Sequence, residues 1–223
     1  MPISDLMDGH RRFKNLFAHN KAAFTQLADE GQSPKVLWIG CSDSRVIPEQ
    51  ITGAKPGDLF VMRNVANVVP PFSLANDAVG AVIEYAVLHL QVSDIVICGH
   101  TDCGGIKALY DHPNMAREPH IARWMGLLRL ARTHIEASGV PKEMQFIETI
   151  KANILVQRRN LYTYACVKER AKLGELSIHG WLYDLHTGDL FTHDEKLEQW
   201  RALISPDIIP SPKLNRKTLV AKH

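Results

Sequence analysis

Through the first 30 residues apolar positions recur mostly at three- and four-residue steps, at Leu6, Phe13, Leu16, Phe17, Ala23, Phe24 and Leu27. Side chains at that spacing share one side of a helix, so the segment predicts an amphipathic helix or two, closed by Glu30-Gly31. The pattern then changes. Residues 35–40, Lys-Val-Leu-Trp-Ile-Gly, form a short apolar run with β-branched members, bounded by Pro34 and the polar Cys41-Ser-Asp-Ser. A buried strand is predicted there, and its carboxyl end delivers Cys41. Residues 58–64 predict a second strand after the Lys55-Pro-Gly turn, and residues 78–90 are so uniformly apolar that they predict a largely buried helix. Residues 94–99 predict a third strand, followed by a glycine-bearing turn from His100 to Gly105 and a short helix through Tyr110.

From Pro119 to about Gly174 the spacing is helical, with breaks near Gly139-Val-Pro and around Asn160. Residues 176–183 alternate as a strand does, and His186-Thr-Gly-Asp189 reads as a turn into residues 190–192, which makes a terminal hairpin. Pro206, Pro210 and Pro212 would interrupt any later helix or central strand, so an extended tail is expected. Strands alternating with helices imply an α/β fold: a mostly parallel central β-sheet flanked by helices, with an N-terminal helical arm and a C-terminal hairpin strand pair. The expected organisation is one domain over residues 1–203, of which 1–30 are the arm, and a tail over 204–223.

Composition narrows the function without naming it. At 223 residues, 45% hydrophobic and 22% charged, the chain can bury a sizeable core without disulfide staples. Its formal net charge of +2 is spread along the sequence, which argues against a nucleic-acid partner. Lys213, Arg216 and Lys217 read as a solvated tail. No secretory signal and no run of the roughly 20 apolar residues needed to span a membrane is visible. The four cysteines, Cys41, Cys98, Cys103 and Cys166, are too few for a disulfide framework, and a reducing cytoplasm is the expected compartment.

Ligands of α/β sheets bind beyond the carboxyl ends of strands, and two of the predicted strands end in metal-ligating side chains: Cys41, and the pair His100 and Cys103. Three such ligands with the fourth position left for water describe a catalytic rather than a structural zinc site. The spacing alone also fits two buried thiols beside a hydrogen-bonded turn histidine.

Whole segments go further. Gly40-Cys-Ser-Asp-Ser-Arg-Val46 and Cys98-Gly-His-Thr-Asp-Cys-Gly-Gly105 resemble the two signature motifs of β-class carbonic anhydrases. The resemblance continues in order through Pro56-Gly-Asp-Leu-Phe60, Val61-Met-Arg-Asn-Val-Ala-Asn67, Glu84-Tyr-Ala-Val87 and His179-Gly-Trp-Leu-Tyr183, over roughly residues 1–192. It implies one zinc ion per chain on Cys41, His100 and Cys103, with Asp43 and Arg45 as a dyad beside the metal. It also implies reversible hydration of CO2 to bicarbonate and a proton by hydroxide generated at zinc, a substrate pocket from Gln32, Phe60, Val65 and Tyr85, and a homodimer or homotetramer. Two thiolates cancel the formal charge of zinc and acidify its water less than three histidines would, so activity is expected to rise toward alkaline pH.

In one bacterial subgroup residues like Trp38, Arg63 and Tyr183 bind bicarbonate away from zinc, whereas Val69-Pro-Pro-Phe72 and Gly104-Gly-Ile-Lys107 are similar to the plant-type subgroup, so regulation stays open. Two alternatives share the ligand set: a hydrolase of a CO2 analogue such as CS2 or COS, and a bicarbonate-binding protein whose zinc is closed by Asp43. A phosphatase is excluded, because Cys41 to Arg45 is too short for a phosphate-cradling loop. His89, His112, His120, His134, His179, His186 and His193 show no convergent spacing.

Overall fold

The computed structural model describes residues 1–74, 77–111 and 116–204. The expected tail, its basic residues and His112 lie outside the described residues.

Two helices open the chain, α1 (Ile3–His19) and α2 (Lys21–Glu30). Their apolar stripes meet at Phe17 and Phe24, whose ring centroids stack 4.9 Å apart, with Phe13 edge-on to Phe24 at 5.8 Å. No residue of either helix is buried.

The sheet follows from the apolar runs: β1 (Val36–Cys41), β2 (Leu59–Asn64), β3 (Asp94–His100), β4 (Ser177–Tyr183), β5 (Leu190–Asp194) and β6 (Gln199–Ala202), in the order β2-β1-β3-β4-β5-β6, with a short helix α3 (Pro48–Thr52) between β1 and β2. The first four are parallel, and β5 and β6 are added antiparallel. The last strand was not foreseen, because Gln-Trp-Arg-Ala alternates over only four residues, too short a run to stand out, and is held by pairing with β5.

Alternation divides β1 between two cores. Leu37, Ile39 and Cys41 join Ile95, Ile97, Ile178 and Leu182 in the large cluster, while Trp38 packs with Val96 and Cys98 on the opposite face. The large core is covered by α4 (Asp77–Glu84), α5 (Gly104–Asp111) and the long helix α8 (Lys142–Leu161), with α6 (Pro119–Gly126), α7 (Arg129–Ala137) and α9 (Ala165–Lys172) completing that layer. Gly99 of β3 lets α8 approach closely: a Cβ there would lie 2.8 Å from Ile154.

Residues 78–90 depart from expectation. The α-helix ends at Glu84 and widens into a π-helical turn, Tyr85–His89, closed by a bond from the Leu90 N–H to the Tyr85 carbonyl. It is not largely buried: Val79, Ile83, Ala86 and Val87 face the core, while Tyr85 and Leu88 are 44% and 54% exposed, because only one side meets the sheet. Among the described residues no helix is long and apolar enough to cross a membrane.

Candidate metal centre

β1 and β3 run parallel with Gly40 opposite Cys98, so Cys41 and His100 leave the sheet at neighbouring strand ends, and the turn after β3 returns Cys103 to the same point. One ligand atom from each of the three lies within 4.8 Å of the others, and all three residues are buried. The two sulfurs are 3.9 Å apart. That is far beyond the roughly 2.05 Å of a disulfide. It is close to the ~3.8 Å that two thiolates reach on a tetrahedral zinc with bonds of about 2.3 Å.

His100 is oriented for the same purpose. Its Nδ1 lies 2.7 Å from the Thr101 carbonyl, which only accepts, so Nδ1 carries the proton and Nε2 keeps a lone pair. Nε2 is buried and has no hydrogen-bond partner. An orphaned imidazole nitrogen beside two cysteine sulfurs is what a soft-to-borderline cation would satisfy, and the set fits zinc.

Electrostatics agree. Cys41 is driven far below the range of a free thiol, chiefly because Cys103 donates its S–H to it. Burial opposes this, while the N–H groups of Asp43 and Ala66 add to it. Cys103, as the donor of that bond and then through burial, is pushed up, against the N–H groups of Ile106 and Gly105. The arrangement favours a thiolate at Cys41 over one at Cys103.

Asp43 and Arg45 form the expected dyad. Arg45 donates from Nε to Asp43 Oδ1 at 2.9 Å and from Nη2 to Oδ2 at 2.7 Å, while its backbone N–H adds a third bond at 3.0 Å. These donors hold the Asp43 carboxyl well below the usual carboxylate range, against a partial desolvation that would raise it. Asp43 Oδ2 stands 3.9 Å from His100 Nε2, with its charge aimed at the ligand cluster. Arg45 Nη2 also reaches the Asp102 carbonyl at 3.3 Å.

A brace beneath the site was not foreseen. Ala66 and Asn67 take left-handed φ of 63° and 48°, and this kink turns the Ala66 N–H toward Cys41 Sγ at 3.4 Å. Amides of α8 hold the kink: buried Asn153 donates to the Ala66 carbonyl at 3.0 Å, buried Gln157 accepts from the Val69 N–H at 2.9 Å, and half-buried Asn160 donates to the Val69 carbonyl at 2.8 Å. A signal was present in the sequence, since amides at 153, 157 and 160 follow helical spacing on an otherwise apolar face. Gly105 packs against the kink, where a Cβ would come within 2.9 Å of Ala66 and Val65. Trp124 of α6 caps it, donating to the Val65 carbonyl at 2.9 Å.

The other expected residues divide. Val65 lies beside the centre and lines an open, mostly apolar cavity of about 360 Å³ with Ser42, Asn64, His120, Ile121 and Trp124. A larger groove, about 850 Å³ between α9 and β5, includes none of the expected site residues. Phe60 and Tyr85 pair at 5.7 Å, but Phe60 is opposite Leu37 while Asn64 is opposite Cys41. Four residues of strand, roughly 13 Å, therefore separate Phe60 from the ligand end. Gln32 is exposed just after α2. This chain does not bring Gln32, Phe60 or Tyr85 to its own metal ligands.

Trp38 and Tyr183 pack together on the opposite face of the sheet, and Trp38 Nε1 is buried without a partner. Arg63 is engaged elsewhere, donating to the Cys41 carbonyl at 2.8 Å and the Asp43 carbonyl at 2.6 Å.

Residues 36–190 match the carbonic anhydrase family model. A carbonic anhydrase of Pseudomonas aeruginosa is 39% identical over 188 residues, 83% of this chain and 85% of the relative. Among solved structures, the β-carbonic anhydrase CcaA superposes with a TM-score of 0.85 at 35% identity, over 90% of this chain and 98% of that one. One of two β-carbonic anhydrases from Sordaria macrospora, described as tetrameric, superposes with a TM-score of 0.74 at 29% identity, over 91% and 97%.

Proposed function

The chain belongs to the β-class carbonic anhydrases, and on that premise we propose that it hydrates CO2 reversibly at a single zinc ion held by Cys41, His100 and Cys103. The observation that carries this reading is the convergence of two buried sulfurs with a buried, partnerless His100 Nε2. Zinc bound there supplies a Lewis acid that makes water a competent nucleophile near neutral pH. Everything else is the work of the protein's own groups. Asp43 accepts a hydrogen bond from the reacting water and fixes the direction of its lone pair. Arg45 keeps Asp43 ionised and, by its bidentate grip, holds the carboxylate beside the ligand set instead of on it. Arg63 holds the backbone carbonyls on either side of Ser42, so the ligand and the dyad carboxylate move as one piece. Thr101 keeps the imidazole in the tautomer that leaves Nε2 free.

Gln32, Phe60 and Tyr85 serve the site of a second copy of the chain. Supporting this are the exposed apolar faces of α1 and the π-helical turn, the strand-length separation of Phe60 from its own ligands, and the tetrameric state of the Sordaria relatives. Bicarbonate also acts as a regulator through Trp38, Arg63 and Tyr183. The unpartnered Trp38 Nε1 offers a donor, and an anion that drew Arg63 away would release the carbonyls of Cys41 and Asp43. Stopped-flow assays of the purified chain with CO2, CS2 and COS test the reaction. Hydration of CO2 is expected to dominate; turnover of CS2 or COS alone would overturn the assignment.

A further inference from the structure

One peptide unit joins a metal ligand to a helix outside the strand ends. The carbonyl of Val65 and the N–H of Ala66 are its two polar groups, and in a trans peptide they lie in one plane and point opposite ways. The N–H is directed at Cys41 Sγ at 3.4 Å, and the carbonyl accepts from Trp124 Nε1 at 2.9 Å. An indole nitrogen only donates, so the sense of that bond is fixed. Indole, amide and ligand sulfur form one chain of hydrogen bonds running toward Cys41.

The two cysteine ligands obtain their donors by different routes. Cys103 precedes α5 and faces the N–H groups of Gly105 and Ile106 in its first turn. Cys41 ends a strand, so beyond the N–H of Asp43 its donor has to be brought in from another segment. The left-handed φ of 63° at Ala66 does this, a value costly for a residue with a Cβ. Asn153 grips the chain just after the peptide, at the Ala66 carbonyl, and Gly105 leaves room beneath it, where a Cβ would stand 3.4 Å from the Ala66 nitrogen. Trp124 grips the peptide itself. Its half-buried ring packs on the large core and lines the cavity of about 360 Å³ with Ser42 and Asn64, the neighbours of Cys41 along the chain and across the sheet.

We propose that Trp124 is a positioning residue of the metal centre, which through the Val65–Ala66 peptide aims and strengthens the hydrogen bond that Cys41 accepts; the inference rests on the zinc reading. A donor on the carbonyl draws electron density out of the amide and leaves its N–H more positive. In such a chain each bond strengthens the next by about 10–30%. The firmer bond fixes the direction of the Cys41 sulfur and takes up part of its charge, so less is passed to the cation. With two thiolates already offsetting the charge of zinc, that restraint preserves its strength as a Lewis acid.

The test uses the full chain with Trp124→Phe and with Trp124→benzothienylalanine, an isostere that keeps the bicyclic ring and carries sulfur in place of the N–H. Zinc affinity is read by competition with a chelator, and both variants are expected to bind the metal about tenfold more weakly. The same chains loaded with cobalt(II) report on the sulfur directly. Their sulfur-to-cobalt charge-transfer absorption should move to lower energy, because a sulfur accepting a weaker hydrogen bond gives up charge more readily. Trp124→Phe also removes packing volume, so the isostere decides: a purely structural role leaves it at the wild-type values. An isostere that matches the wild type in either measurement would overturn the proposal. A wild type that takes up no zinc removes the zinc reading and this inference with it, whereas a zinc-binding wild type with an isostere that behaves like it removes this inference alone.

Discussion

The carboxyl ends of β1 and β3 and the outer faces of the helices treat reactive and apolar groups in opposite ways. At the strand ends Cys41, His100 and Cys103 are 4%, 0% and 1% exposed and braced from beneath by amides of α8. On α1 and the π-helical turn, Leu6, Met7, Leu16 and Leu88 are 56%, 56%, 56% and 54% exposed among the described residues. Exposed apolar surface of this kind marks an interaction face, whereas the ligand cluster is assembled within one chain. On the proposed reading the metal belongs to the single chain and the walls of the substrate pocket to an assembly.

The strongest way to break this division is to remove a ligand. Cys103→Ser is expected to abolish bound zinc and turnover together, as read by elemental analysis and stopped-flow hydration; retained zinc would show that the cluster is not the metal site. Next comes the other region. Leu88→Glu places a charge on the exposed apolar face and should split the assembly into monomers by light scattering, with zinc retained and turnover lowered. A monomer of full activity would show that the pocket is built within one chain.

Both regions were legible in the sequence to different depths. Strand ends and ligands could be read because β1 and β3 are uninterrupted apolar runs ending in Cys41 and His100, and a period of two fixes which face each residue takes. The half-exposed face of residues 78–90 could not, because an apolar run looks the same whether its neighbour is its own core or a second chain. The kink at Ala66 was also hidden, since alanine carries no preference for φ above zero and is held there by Asn153 and Gln157 from a helix some 90 residues away in sequence.

Smaller effects sharpen the account of the centre. Arg45→Ala frees Asp43 from its bidentate partner and should lower turnover about 10- to 100-fold, as loss of a group supporting a metal site does. With Arg45 present, Asp43 stays ionised across the neutral range. An activity that rises toward alkaline pH in the wild type is therefore expected to follow the reacting water and not the dyad, and a flat profile would contradict this. Gln157→Ala leaves the buried Val69 N–H without an acceptor and should cost about 1–3 kcal/mol in urea unfolding, with a smaller effect on turnover.

The central claim, that one chain's Cys41, His100 and Cys103 hold the ion on which CO2 hydration depends, meets its most direct test in a single preparation. Zinc content per chain and CO2 hydration are measured before chelation, after it and after zinc is returned. The account predicts one zinc per chain, activity lost with the metal and regained with it. A metal-free chain that still hydrates CO2, or a fully loaded chain that does not, would contradict it.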